Sequence, residues 1–577
     1  MATAKAAYFS MEIALESSIP TYSGGLGVLA GDTLRSAADL GVPMVAVTLV
    51  HRRGYFRQRL DDQGNQMEED AAWQPEEVLE PTDPIVSVPI EGRSVQLRAW
   101  RFSIAGLSGH VVPVYLLDTN VPGNSPWDRT LTDHLYGGDE HYRICQEVVL
   151  GIGGVRMLQA LGYGELQSYH MNEGHSALLA IGLLEQRLGN PDLRAATEAD
   201  IEAIRERCVF TTHTPVPAGH DQFPRGLMRQ VLGNERAEVL EVTHCCPENL
   251  LNMTYLALRF SRYINGVAMH HGEISHDMYP NYPVRAITNG VHAVTWTSPP
   301  FAALYDRHIP EWRRDNQYLR YAVGIPLEEI AEAHRQAKWG LLEEIKKATG
   351  VQLDARAITL GFARRAANYK RADLLFSNLD RLKWIATRAG PLQLVFAGKA
   401  HPRDDGGKEL IRRVFEAAQK LTGSIEFAYV PDYDMRWGQL IASGVDLWLN
   451  TPHRPYEASG TSGMKAALNG IPSLSVPDGW WYEGHFEGVT GWDIGHEELL
   501  DDPAAEAASL YDKLELVILP MFYTRPNSFV EVMRSTIALN GAFFNGQRMV
   551  SQYMLNAYSP EEIKAPGLEH SGSTHQP

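Results

Sequence analysis

Cysteine is scarce in this sequence, with four residues (Cys145, Cys208, Cys245 and Cys246) among 577. None of them forms a CxxC spacing, which excludes a disulfide framework and a zinc site of the paired CxxC type. Buried thiols are the simplest interpretation, and a metal or redox site at the adjacent pair Cys245-Cys246 is the alternative.

Long apolar runs and an excess of positive charge are lacking too. No stretch reaches about 18 uninterrupted apolar residues, and residues 1–12 lack the basic segment and apolar core of a secretion signal. Lys and Arg number 52 against 70 Asp and Glu, a formal net charge of −18. Because nucleic acid and anionic lipid attract basic surfaces, this charge predicts a protein that binds neither nucleic acid nor membrane. The lack of a signal segment and of long apolar runs predicts a cytoplasmic protein. Any phosphate must be held by a local basic site.

Several sequence motifs are absent as well. There is no repeat of fixed period, which excludes solenoids and propellers, and no HExxH metal motif. The GxxxxGK[ST] spacing of a Walker loop is missing, which argues against a nucleoside-triphosphate site of that type. The GxGxxG order after a strand is missing too, which argues against a nicotinamide enzyme.

The composition that is present is that of a globular α/β protein, with 44% hydrophobic and 21% charged residues. Apolar runs predict strands at 44–50, 110–117, 168–171, 209–212, 357–363, 392–397, 425–430, 445–450 and 472–476. Amphipathic stretches predict helices at 31–40, 147–161, 176–188, 371–386, 408–421 and 435–443. This alternation predicts parallel sheets covered on both faces, and the length exceeds one ordinary core.

We therefore predict an α/β fold with two doubly wound, Rossmann-like domains facing a cleft. The domains are residues 1–298 and 299–565, followed by a flexible polar tail at 566–577. The boundary is placed at Thr297-Ser298-Pro299-Pro300, because consecutive prolines interrupt regular elements. A helical stretch at 504–544 follows the last strand and is expected to cross back and brace the first domain.

The most informative segment runs from Glu457 to Gly470, with the sequence EASGTSGMKAALNG. It follows a strand and opens a short helix, so backbone N–H groups should converge there as an anion site. Lys465 in this segment can be a phosphate ligand, an ion-pair partner or an amine that condenses with a carbonyl. The plainer alternative is a tight glycine turn with a solvated lysine.

Two other segments share the same potential for binding anions. Residues 361–371 follow a strand and carry Arg364, Arg365 and Lys370, which can face one oxyanion together, or else form a solvated basic turn. Residues 22–32, YSGGLGVLAGD, place four glycines before a helix, where the backbone can approach a phosphate or a sugar closely.

Histidine and asparagine recur at the predicted strand ends of the first half, in HMNEGH (170–175), TTHT (211–214) and TNGVH (288–292). Neutral donors and acceptors in a cleft are suited to sugar hydroxyls. Zinc is the competing ligand, but no metal-ligand spacing supports it.

Together these segments resemble the α-glucan phosphorylases (glycogen, starch and maltodextrin phosphorylases), in their compact bacterial or archaeal branch. The resemblance spans Tyr8 to about Val489. The matching segments are EASGTSGMK, NGVAMHHGEIS (265–275), ITNGVHAVTW (287–296), YSGGLG and RRAANYKR.

The resemblance implies a GT-B arrangement of the two domains, with pyridoxal phosphate in the cleft attached to Lys465. The implied catalytic residues are Lys465, Arg365 and Lys370. The implied contacts of the cofactor phosphate are Thr461, Ser462, Arg364 and Tyr433. The implied substrate contacts are Gly25, Arg365 and Lys370 for phosphate, and His213, Asn289, Tyr369, Glu457, Ser459 and Gly460 for the glucosyl unit.

The implied reaction is the reversible phosphorolysis of terminal α-1,4-glucosyl units to α-glucose 1-phosphate with retention. Ordinary glycosidases need two carboxylates beside the bond that breaks, but the main motif here holds one acid, Glu457. A phosphorylase does not need the second carboxylate, because in the family the cofactor 5′-phosphate acts as the proton relay. The partners are therefore an α-glucan or maltooligosaccharide, inorganic phosphate and glucose 1-phosphate. The resemblance also implies a homodimer, and the shortness of the chain predicts no regulation through a phosphorylated N-terminal arm.

Some positions depart from the pattern of the family. Ser462-Gly463 replaces Gly-Asn, Asp434 replaces an arginine, and Ala366-Ala367 replaces bulkier residues, which is expected to open the pocket. Two other functions remain as alternatives. One is a retaining transferase of the glycogen-synthase type that uses a nucleotide sugar, against which Lys465 argues, and the other is an inactive glucan-binding protein, which Asp434 supports modestly.

Overall fold

The computed structural model describes residues 4–190, 192–216, 220–495 and 502–559. The strands in these ranges, β1 to β20 in chain order, are Ala6–Phe9, Met44–Leu49, Arg57–Leu60, Gln66–Glu69, Glu80–Pro81, Val86–Ile90, Arg93–Ala105, Val111–Asp118, Ser168–Asn172, Cys208–Thr211, Gln222–Pro224, Leu250–Asn252, Tyr263–Gly266, Val284–Ala286, Ile358–Ala363, Leu392–Ala397, Glu426–Val430, Leu447–Asn450, Ser473–Ser475 and Gly491–Asp493.

The α-helices in the same ranges are α1 to α22 in chain order. They are Gly25–Asp39, Pro75–Val78, Glu140–Val148, Gly154–Ala160, Leu179–Leu188, Glu198–Arg205, Arg225–Leu232, Asn234–Val242, Met253–Arg259, Met269–Met278, Ala293–Trp296, Pro299–His308, Leu327–Thr349, Leu379–Arg388, Asp405–Leu421, Met435–Gly444, Thr461–Ala467, Trp481–Gly484, Pro503–Asp512, Leu519–Thr524, Pro526–Thr536 and Gly546–Tyr553.

The first large sheet has the order β14-β13-β10-β9-β1-β2-β8, with all of these strands parallel. Strand β7 extends it in the antiparallel direction, and β5 and β6 both pair with β7. Strands β1 and β2 are buried along their whole length, as expected of central strands with helices on both faces.

The second sheet has the order β17-β16-β15-β18-β19-β20 and is entirely parallel. Counted along the chain, this is the strand order 3-2-1-4-5-6 of dinucleotide-binding folds. The parallel part of the first sheet follows the same order and adds a seventh strand. The predicted fold class, two doubly wound α/β units of the GT-B type, is confirmed.

In each sheet the winding direction reverses at one point, between β1 and β9 in the first and between β15 and β18 in the second. Doubly wound folds bind ligands at the carboxyl ends of the strands that flank such a point. The segments that follow these four strands are therefore the places to search for a site.

The predicted strands of the second half are confirmed to within two residues at each end. The helix predicted at 371–386 was wrong in its start, because α14 begins only at Leu379. Arg371 has a left-handed backbone (φ 47°), and the Asn378 side chain caps α14 by accepting the N–H of Arg381 at 3.0 Å.

The C-terminal helices divide between the two units. Most of the predicted stretch 504–544 packs in the core of the second unit, so the expectation that it braces the first domain holds at its end alone, where the Phe544 carbonyl accepts the N–H of Val291 at 3.0 Å. The segment after it, 546–558, continues into the first unit. Tyr553 and Tyr558 are buried in the first unit, where their hydroxyls contact Thr211 at 3.1 Å and His170 at 2.6 Å.

The boundary near Ser298 stays a prediction; Pro299 and Pro300 there form the first turn of α12. The predicted tail, 566–577, lies outside the described residues. The four cysteines are free thiols, three buried and Cys246 half-buried. None of the helices in the described ranges is both long and apolar enough to cross a membrane.

Candidate functional site

The glycine-rich turn lies in the segment that connects β1 to α1, and β1 is one of the two strands at the reversal point of the first sheet. Gly24 precedes α1, and Gly25 is the exposed first residue of that helix. A Cβ atom on Gly25 would have no neighbour within 4 Å, so the backbone is open to a ligand at this residue. A phosphate or a sugar therefore has the space to approach the backbone of the turn closely, as predicted.

Two of the three predicted phosphate-binding cations, Arg364 and Lys370, follow β15 and are buried. Both bind Glu457, which follows β18. Arg364 Nη2 lies 2.7 Å from Glu457 Oε2, and Lys370 Nζ donates to the same oxygen. Burial alone would raise the pKa of Glu457, but the two cations outweigh it and lower that pKa. The two cations thus face one protein carboxylate.

The third cation, Arg365, has a different environment. Its side chain is exposed, and it takes part in none of the ion pairs among the described residues. Its Nη2 lies 3.2 Å from the point where a Cβ on Gly24 would be. The predicted basic segment of the second unit therefore touches the glycine turn of the first.

Lys465 lies on α17 and is 8% exposed. Its Nζ is 3.9 Å from the centroid of the Trp296 ring. The indole N–H of Trp296 is shared between the two oxygens of Asp32, at 2.8 and 3.0 Å. Burial lowers the pKa of Lys465 to about 8, and Asp32 partly opposes this effect. A buried amine with this pKa is partly neutral near pH 8, as a nucleophile must be.

The start of α17 carries the other predicted cofactor contacts. Gly460 has a left-handed backbone (φ 91°), and Thr461 begins the helix. The buried hydroxyl of Ser462 has no hydrogen-bond partner in the described part of the chain. A Cβ on Gly463 would lie 2.6 Å from the Trp480 ring. The departure at Gly463 is thus explained by packing against tryptophan.

The predicted glucosyl contacts do not all meet. Asn289 donates to the Ser459 hydroxyl at 3.0 Å, which joins the two units, and its buried Oδ1 is left without a partner among the described residues. His213 Nε2 instead lies 2.7 Å from Asn172 Oδ1, and burial lowers its pKa to about 4. Tyr369 is half-buried, with Lys370 Nζ 4.5 Å from its ring centroid.

Tyr433 and Asp434 precede α16. A Cβ on Gly438 would lie 3.0 Å from the Tyr433 hydroxyl and 3.4 Å from the Trp296 ring, so Tyr433 lies near the pocket of Lys465. Asp434 caps α16 by accepting the N–H of Trp437 at 2.8 Å. The loss of an arginine at this position is therefore accompanied by a gain of helix capping.

We expected Ala366-Ala367 to open the pocket; for Ala367 this stays a prediction, whereas Ala366 packs elsewhere. It is buried in a small cluster with Ala400 and Ile411, so its small size serves packing between a loop and α15.

A carbohydrate phosphorylase family model matches residues 220–483. The chain is 40% identical to the maltodextrin phosphorylase of Thermococcus litoralis, with 96% of this chain and 70% of that protein covered. It is 37% identical to the glycogen phosphorylase of Mycobacterium tuberculosis, over 96% and 70%, and 34% identical to that of Aquifex aeolicus, over 96% and 86%. The chain belongs to the carbohydrate phosphorylase family.

Membership of the carbohydrate phosphorylase family confirms the predicted family and the predicted enzyme class, a glycosyltransferase of the phosphorylase type. The segment matched by the family model contains Asn289, Arg365 and Lys465, whereas Gly25 and His213 precede it. The roles of the individual residues stay predictions.

Three buried acids of this phosphorylase-family site were not singled out from the sequence: Glu12, Asp32 and Asp478. The Asp478 carboxylate accepts the N–H groups of Glu457 and Gly479, each at 2.9 Å. Burial, reinforced by the nearby Glu457, raises the pKa of Asp478 to about 7. For Glu12 and Asp478 the available signal was position, because each lies a few residues after a buried strand, whereas Asp32 lies on α1 and had no such signal.

Proposed function

We propose that this chain is an α-1,4-glucan phosphorylase, which transfers the terminal glucosyl unit of an α-glucan or maltooligosaccharide to inorganic phosphate and releases α-glucose 1-phosphate with retention. One observation carries the proposal. Arg365, which follows β15, places its guanidinium against the turn at Gly24, beside the sterically open Gly25 that begins α1. An unpaired guanidinium beside a helix N-terminus is suited to an oxyanion.

Pyridoxal phosphate is the proposed cofactor, as is general in the phosphorylase family, and the donor set here fits it. Lys465 supplies a buried amine for the aldehyde. Thr461, the N-terminus of α17 and the Ser462 hydroxyl, which has no partner among the described residues, would hold the cofactor phosphate together with Arg364, and Tyr433 lies close by. When bound, pyridoxal phosphate supplies a phosphate group that can exchange a proton within the site.

The residues of the chain itself would do the remaining work. Arg365, Lys370 and the N–H of Gly25 would hold the substrate phosphate and stabilise the charge that develops in the transition state. The glucosyl hydroxyls would be bound by neutral or fixed polar groups: His213, Asn289, Tyr369, Glu457, Ser459 and Gly460. The lowered pKa of His213 keeps its ring neutral, so it can both donate and accept a hydrogen bond.

The function is tested by incubating the purified holoenzyme with maltooligosaccharide and measuring glucose 1-phosphate. Release should require inorganic phosphate and should be lost in Lys465→Ala and Arg365→Ala, with cofactor content kept in the latter. Arg412→Ala is the matched control, because Arg412 is an exposed arginine of α15 that pairs with Glu409 on the same helix. Turnover that needs a nucleotide sugar instead would establish the synthase-type alternative.

A protein that binds glucan without either reaction would establish the inactive alternative. The homodimer is part of the proposal only through the family resemblance, and light scattering of the purified protein tests it.

A further inference from the structure

A fully buried carboxylate lies beneath the glycine turn. Glu12 follows β1 and is 0% exposed. A charged side chain in such a position is costly unless several donors bind it. Its donors therefore indicate what it does.

Both oxygens of Glu12 are bound, and most of the donors belong to the turn. Oε2 accepts the backbone N–H of Ser23 at 2.6 Å and that of Gly24 at 3.3 Å, and the Ser23 hydroxyl lies 3.1 Å away. Oε1 accepts the Tyr136 hydroxyl at 2.9 Å. A Cβ on Gly27 would lie 2.7 Å from Oε2, so glycine at this position makes room for the carboxylate.

These bonds determine which N–H groups remain available. With the N–H groups of Ser23 and Gly24 engaged, the next three donors, those of residues 25, 26 and 27, make no hydrogen bond within the described ranges. They form the positive end of α1, where an anion binds. The Arg365 guanidinium lies against the same turn.

Tyr136 holds Glu12 from the other side. Its ring lies under the Arg143 guanidinium at 4.5 Å, and Arg143 pairs with Asp221 at 2.9 Å. Burial, reinforced by the Glu12 carboxylate, raises the pKa of Tyr136, so the phenol stays protonated and donates. Glu12 is thus fixed between the turn and a buried ion pair.

We propose that Glu12 is a positioning residue of the phosphate site, which sets the conformation of the 23–25 turn so that the first N–H groups of α1 and Arg365 face the same anion. The inference rests on the proposed function in one respect, since it takes that anion to be inorganic phosphate. It assigns Glu12 no contact with the reacting atoms.

The test uses the holoenzyme with Glu12→Ala, Glu12→Gln and a control, Thr21→Val. Thr21 lies in the same segment and donates a buried hydrogen bond to the Ile13 carbonyl at 2.7 Å, so its loss reports local destabilisation alone. The measurements are KM for phosphate, KM for maltooligosaccharide, and phosphate binding by calorimetry. Glu12→Ala should raise KM for phosphate and weaken phosphate binding by about tenfold or more, the scale of losing charge-assisted hydrogen bonds.

KM for maltooligosaccharide should stay within about twofold, because the turn is not among the glucosyl contacts. Glu12→Gln should recover most of the phosphate affinity, because its amide oxygen can accept from the turn while its NH₂ donates to Tyr136. Thr21→Val should lower Tm and leave both KM values unchanged.

Equal effects of Glu12→Ala and Thr21→Val, or a parallel rise in both KM values, would overturn the inference. If Glu12→Ala does not fold, Tyr136→Phe decides instead. It removes one donor from Glu12 and should raise KM for phosphate about threefold, and an unchanged value overturns the inference. If the wild type releases no glucose 1-phosphate, the proposed function fails, while calorimetry with inorganic phosphate still decides the role of Glu12.

Discussion

The lowered pKa of Lys465 makes a quantitative prediction about how the cofactor-free chain takes up pyridoxal phosphate. The amine is buried against the face of Trp296, and burial lowers its pKa from 10.5 to about 8. At pH 7 about 9% of such an amine is neutral, against about 0.03% of an ordinary lysine, which is a ratio of about 300. Because only the neutral amine attacks an aldehyde, Lys465 should be modified first.

The pH dependence follows from the same value. The rate of incorporation at Lys465 should rise about fivefold from pH 7 to pH 8 and only about twofold more by pH 10. Incorporation can be trapped with borohydride and quantified at the Lys465 peptide by mass spectrometry. Lys347 is the internal comparison: it is exposed, and its hydrogen bond with Glu344 raises its pKa, so its modification should climb about tenfold per pH unit over this range.

Asp32→Asn tests the sign of the electrostatic argument. The Asp32 carboxylate favours the charged amine, so its removal should lower the pKa of Lys465 further and move the plateau to lower pH. A rate at Lys465 that climbs steadily to pH 10, as at Lys347, would refute the reasoning. A plateau that moves to higher pH in Asp32→Asn would refute the part assigned to Asp32.

Two further predictions concern stability. Glu457→Gln leaves two buried cations without their shared counter-charge and should lower the free energy of unfolding in urea at pH 7 by about 3 kcal/mol. The pKa of Glu457 is lowered in the folded state, so the carboxylate contributes its full stability above about pH 4.5. This contribution should disappear as the pH falls through the lowered pKa. In Gly463→Ala the new methyl group would meet the Trp480 ring, so this variant should lose about 1–3 kcal/mol of stability and retain the cofactor less well. Gly340→Ala, on an open face of α13, is the control and should be neutral or slightly stabilising. Equal Tm values for the two variants would contradict the packing argument.

The second sheet could be predicted from the sequence because its buried parallel strands are continuous apolar runs separated by amphipathic helices. Strand β1 was missed, since four residues, Ala6–Phe9, are too few for a periodic signal. Arg371 also misled the helix assignment. Its backbone is left-handed, and its side chain donates to the Thr451 and Pro452 carbonyls, which are too distant in sequence for a local pattern to indicate.

The candidate site was predictable where it coincides with a local motif, as at Lys465. Glu12 has no such signal, because its donors Ser23 and Tyr136 lie 11 and 124 residues away and meet it only when β1 takes its place in the sheet. Position at a strand end can be predicted from the sequence, whereas the hydrogen-bond partners of a buried acid depend on the whole topology.

The charges at the site explain how an acidic chain can select an anion. Arg364 and Lys370 share Glu457 as a counter-charge, and the Glu12 carboxylate is stabilised by hydrogen-bond donors of the turn. Arg365 differs, because it is an exposed residue and has no ion-pair partner among the described residues. Together with the open N-terminus of α1 it gives a local attraction for an oxyanion. The surface as a whole can therefore stay acidic, because the Arg365 guanidinium, held against the turn, supplies locally the attraction for an anion that a basic surface would otherwise have to provide.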